Sequence, residues 1–110
     1  LSLVDISMKQ LYDEIKNKLD KFNFYGDLCP KLPNADHKDI VTLYYVLIQA
    51  ALFSEDGISQ KELEDFLNAS YSSVRNKLSS IPADLLIKNT RERHAYYMLD
   101  LDKVDIMFSK

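Results

Sequence analysis

Tryptophan is absent from this chain, and its 110 residues hold two glycines, three prolines and one cysteine. Each scarcity closes a door. With glycine only at positions 26 and 57, there is no glycine-rich loop to wrap a nucleotide phosphate. The lone Cys29 has no partner for an internal disulfide, which fits a reducing interior. Few glycines and prolines leave little room for long disordered stretches. No apolar run approaches the length of a membrane span, and no secretory leader is read at the start, so a cytoplasmic location with no membrane partner is expected.

Catalytic and metal chemistry also lack the residues they need. His37, His94 and Cys29 share no metal-ligand spacing, and no histidine stands near Cys29 in sequence to activate it. The acidic residues Glu55, Asp56, Glu62, Glu64 and Asp65 read as a solvated face. Asn68-Ala69-Ser70 matches a glycosylation triplet but falls in a tight turn, where chance explains it. No enzyme activity, cofactor or metal is expected.

What the chain does have is bulk and helical periodicity. Seven tyrosines and five phenylalanines support a 46% hydrophobic composition, enough for one core and one domain over residues 1 to 110. Residues 5 to 22 place Met8, Leu11, Tyr12, Ile15, Leu19 and Phe22 on one helical face, with Lys9, Asp13, Glu14, Lys16 and Lys18 outside. Residues 23 to 36 contain Gly26, Pro30 and Pro33 and read as a loop. Asp36 then reads as the cap of a helix to about Phe53, with Asp39 near its positive end. That helix carries Ile40, Leu43, Tyr44, Leu47, Ile48, Ala51 and Leu52 and is expected at the centre of the core. Tyr44 and Tyr45 could line a cavity with Phe22, Phe24 and Tyr25, although such aromatics are more often plain core, and no effector is assigned.

After the turn Ser54-Glu55-Asp56-Gly57 comes ISQKELEDFLNASYSSVRNKLSSI, two short helices joined by a sharp turn. Ser59 and Glu62 have capping-box spacing, which satisfies orphan N–H groups at a helix start. Leu63, Phe66 and Leu67 form an apolar stripe. Asn68 tolerates the left-handed conformation that a sharp turn requires, and Ser70 can cap the next helix. There Val74, Leu78 and Ile81 point inward, leaving Tyr71, Ser72, Ser73, Arg75, Asn76 and Lys77 on the surface. Pro82 closes the helix by restricting the residue before it. Leu85 to Lys88 and Ala95 to Leu99 then read as strands, with residues 89 to 94 as the polar tip between them. Val104, Met107 and Phe108 suggest a short closing helix after Asp102.

Charge is distributed unevenly along this order. The whole chain carries −3, yet residues 70 to 99 hold Arg75, Lys77, Lys88, Arg91 and Arg93 against Asp84 and Glu92, a local +3. Residues 1 to 69 carry −5. No acidic residue lies between Ser70 and Ala83.

The segment from 58 to 99 resembles the winged helix-turn-helix family of DNA-binding domains. The resemblance implies a mainly α fold with a small β-hairpin wing, here with extra helices at both ends. It implies contacts to double-stranded DNA from Ser70, Tyr71, Ser72, Ser73, Arg75, Asn76 and Lys77 on the second helix. It further implies contacts from Lys88, Asn89, Arg91, Arg93 and His94 on the wing, Arg91 and Arg93 sharing one side of an extended tip. Arg75 and Asn76 would approach base edges, and Ser72, Ser73 and Lys77 phosphates. Because the family uses extra helices for dimerisation, a homodimer through the helix of residues 5 to 22 is implied. The role implied first is that of a small transcriptional regulator, nucleoid-associated when bound. The alternatives are a plasmid or phage segregation adaptor that coats a centromere, and a protein-interaction module that docks an acidic partner without DNA.

Overall fold

The computed structural model describes residues 7–21 and 37–109. Helix α1 (Met8–Lys21) starts where Ser7 and Gln10 cap it reciprocally. The Gln10 N–H donates to Ser7 Oγ at 3.3 Å, and the Ser7 N–H donates to Gln10 Oε1 at 3.4 Å. This box sets the start three residues later than periodicity alone suggests. Leu11, Ile15 and Leu19 are fully buried against helix α2 (His37–Phe53). Phe22, the expected loop with Cys29, and the expected cap Asp36 lie outside the described residues.

The expectation of a central helix holds for α2. Ile40, Leu43, Tyr44, Leu47 and Ile48 are buried, and so are Val41, Val46 and Ala50, which widens the apolar face around most of the helix. It packs on α1 and on elements that follow it. Tyr45 is half-buried and meets Tyr12 edge to face, ring centroids 5.7 Å apart. Phe24 and Tyr25 lie outside the described residues.

A two-residue strand, β1 (Ile58–Ser59), precedes the helix pair α3 (Gln60–Leu67) and α4 (Tyr71–Ser80). Gly57 makes the turn into it with φ +106°, and a Cβ there would come within 2.5 Å of the Tyr97 carbonyl oxygen. Only glycine fits. Ser59 Oγ accepts the Glu62 N–H at 3.2 Å, while the Glu62 carboxylate takes the Ser59 hydroxyl rather than its backbone N–H. Asn68 ends α3 in the left-handed conformation at φ 50°, ψ 49°, and Ser70 Oγ caps α4 by accepting the Ser73 N–H at 3.2 Å. Val74, Leu78 and Ile81 are buried as their spacing requires. Phe66 is not: it stands 59% exposed. In so short a helix, Leu63 and Leu67 fill the inward face, and Phe66 falls about 60° from Leu63 on the side away from Leu67.

The strands β2 (Leu86–Arg91) and β3 (His94–Leu99) are longer than their apolar residues suggest. Asn89, Thr90 and Arg91 pair with Tyr96, Ala95 and His94, so most of the expected tip is paired strand. The turn is only Glu92-Arg93, at φ 53° and 70°. That is the backbone of the tight hairpin turns whose twist matches the strands, built here without the usual glycine. The extended alternation expected to place Arg91 and Arg93 on one side therefore does not apply. Both pairings are antiparallel, in the spatial order β1-β3-β2. Helix α5 (Leu101–Ser109) begins earlier than expected, because Asp100 Oδ1 accepts the N–H groups of Asp102 and Lys103. Val104 on it is buried, while the side chains of Met107 and Phe108 lie outside the described residues.

The described residues thus form a mainly helical fold of five helices and a small three-stranded antiparallel sheet. No helix among them is long and apolar enough to cross a membrane.

Candidate nucleic-acid interface

Helix α4 and the β2–β3 hairpin bound an open groove of about 720 Å³. Tyr71 and Arg75 line it from α4, and Lys88, Arg93 and His94 line it from the hairpin. Its remaining wall comes from β1 and the first turns of α3, including Gln60, Lys61 and Glu64. Four cations from four different elements of structure therefore face one carboxylate, Glu64, in a chain of net charge −3. Among the described residues, neither Lys61, Lys88 nor Arg93 has a carboxylate partner.

Arg75 is held at one end. Its Nη1 donates to the Tyr97 hydroxyl at 3.0 Å, and Tyr97 is 3% exposed at the middle of the central strand. Five N–H groups are available on a guanidinium, so most remain free to face the groove. Next along α4, Ser72 and Asn76 are exposed. Lys77 Nζ donates to Ser73 Oγ at 2.8 Å one turn back, which lays the lysine along the helix, and Ser70 is engaged as the cap.

Arg91 and Asn89 are tied elsewhere. The Asn89 amide donates to the Asp56 carbonyl at 3.0 Å, and Arg91 forms an ion pair with the Asp56 carboxylate. Neither residue lines the groove, whereas Arg93 does. The left-handed turn separates the two arginines: Arg91 ends a strand beside Asp56, and Arg93 is carried round to the α4 side.

Lys61 and Gln60 are absent from the sequence-derived set. They sit in the first turn of α3, which reads as capping and solvation rather than as contact surface, and their placement depends on β1 pairing with β3. The buried side-chain amide of Gln60 has neither its Nε2 nor its Oε1 hydrogen-bonded among the described residues. Phe53 and Phe66, 72% and 59% exposed, line a separate hollow of about 210 Å³ floored by Val46, Ala50 and Ile58. On α1, Leu11, Ile15 and Leu19 are buried within one chain, while Met8 and Tyr12 of the same face are half-buried. Cys29 and the side chain of His37 lie outside the described residues.

Comparison with protein-family models, with curated proteins and with solved structures returned no match for this chain.

Proposed function

We propose that this chain is a winged helix-turn-helix protein that binds double-stranded DNA and acts as a small transcriptional regulator. In this reading α3 and α4 are the helix-turn-helix, α4 enters the major groove, and the β2–β3 hairpin is the wing. The carrying observation is the convergence of Lys61, Arg75, Lys88 and Arg93 on one groove beside α4. A surface of that charge suits a phosphate backbone, and the exposed Ser72 and Asn76 give the helix small polar groups for base edges and phosphates.

With so few cations per chain, tight binding calls for a second copy, and the proposal includes a two-fold dimer. Leu11, Ile15 and Leu19 of α1 are already buried within one chain, so a seam through this helix would use its half-buried Met8 and Tyr12 and its polar side. Segregation adaptors use the same geometry and are distinguished by repeated sites. A pull-down of genomic fragments followed by sequencing tests the reading. Enrichment at one or a few promoters supports a regulator, enrichment at a repeated array supports segregation, and no enrichment at low salt removes DNA binding. The second reading, a protein-interaction module, is favoured by the exposed aromatics Phe53 and Phe66, because exposed apolar surface marks interaction sites.

A further inference from the structure

Tyr97 is a sheet residue by position, yet its hydroxyl ends on the recognition-helix arginine. It sits at the centre of the three-stranded sheet, with Ile58 of β1 on one side and Lys88 of β2 on the other. Its carbonyl is pressed by Gly57, where a single added carbon would lie at 2.5 Å. The ring is 3% exposed, so the side chain has little freedom of its own. From this fixed point the hydroxyl accepts the Arg75 Nη1 hydrogen at 3.0 Å across a sequence separation of 22 residues.

Resting on the DNA-binding reading of α4, we infer that Tyr97 is a specificity-positioning residue: it pre-aims the Arg75 guanidinium at a guanine in the major groove. Arginine reads guanine by a planar fork on O6 and N7, and this needs a defined plane as well as charge. An exposed arginine otherwise carries rotamer entropy that must be lost on binding. Tyr97 restricts that freedom at folding instead, and a guanidinium in one plane discriminates among bases where a mobile one serves any phosphate. One Nη1 hydrogen is engaged, and the others suffice for a bidentate contact. The inference separates two roles within one groove. Arg75 reads because it is held from the sheet, whereas Lys61, Lys88 and Arg93 supply charge without such an anchor.

The test is selection from a random-sequence duplex pool, run with the wild-type protein, with Tyr97→Phe, Arg75→Ala and Arg75→Lys, and with Tyr97→Phe and Arg75→Ala combined. Salt dependence is measured for each on the wild-type consensus duplex. Tyr97→Phe keeps the ring in the core and removes only the hydroxyl, and circular dichroism with thermal melting checks that the fold is retained. The wild type should enrich a site with a fixed guanine. Tyr97→Phe should flatten preference at that guanine by about threefold to tenfold, the worth of one hydrogen bond, with other positions and the salt slope retained. Arg75→Lys should do the same while keeping the charge, and Tyr97→Phe should add nothing in an Arg75→Ala background. A Tyr97→Phe consensus identical to the wild type, with Arg75→Ala altered, overturns the inference and leaves the DNA reading standing. A uniform loss across all positions also overturns it, since that marks a merely structural tyrosine. A wild-type pool without enrichment overturns both.

Discussion

Asn89 donates its side-chain amide to the backbone carbonyl of Asp56 at 3.0 Å, and two residues on, Arg91 pairs with the carboxylate of the same aspartate. The two links differ in worth. The ion pair is exposed, 65% on Arg91 and 36% on Asp56, so water and salt weaken it. Asp56→Ala should therefore cost less than about 1 kcal/mol of stability. Asn89→Ala, which strands a part-buried carbonyl, should cost about 1 kcal/mol or more. Urea unfolding of the two variants checks the order.

Arg93 should show stability and binding moving in opposite directions. Arg93→Gly relieves a left-handed residue and should raise stability by about 0.5–1 kcal/mol. The same change removes a groove cation and should lower the salt dependence of duplex binding by about one phosphate contact. Arg91→Ala should change that slope less, because its charge is already paired. Equal slopes for the two variants would contradict the asymmetry of the hairpin.

At Gly57 both backbone and space forbid a side chain. Gly57→Ala should destabilise by more than about 1 kcal/mol, read as a lowered thermal midpoint. A neutral result would remove the close approach of the turn to β3.

Leu78 and Phe66 are both apolar residues of the helix pair, and they should behave differently. Leu78→Ala should cost roughly 2–5 kcal/mol, since Leu78 is 4% exposed. Phe66→Ala should stay within about 0.5 kcal/mol of the wild type, as surface changes usually do. Denaturant midpoints of the two variants decide it.

If the protein binds as a two-fold dimer, protection should fall in half-sites about 10 base pairs apart, or a multiple. A single protected half-site, with monomeric sedimentation, would argue against the second copy.

The helix pair was legible in the sequence because its signals are local: Ser59, Asn68, Ser70 and Pro82 each act within a few residues. The same holds for Val74, Leu78 and Ile81, whose spacing fixes one face. Strand β1 was not legible, since two residues carry no period. The hairpin ends were misread because Asn89, Thr90 and His94 look like loop residues until cross-strand pairing holds them. Arg91 and Asp56 are 35 residues apart, so no local pattern announces their pairing. Likewise, Arg75 could be placed on the outer face from spacing, but its link to Tyr97 needs the sheet.

The four residues Ser54 to Gly57 set a dimension of the molecule that none of them touches. Through Asp56 they hold one strand of the hairpin, and through Gly57 they abut the other. Their chain runs on into β1 and α3, and so to α4. They work like the adjusting screw of a caliper, set back from the jaws. Substitutions in this turn should therefore alter the gap between helix and hairpin while every residue lining the gap stays the same. If the groove holds a duplex as proposed, its fit would then be tuned from a turn that does not line it.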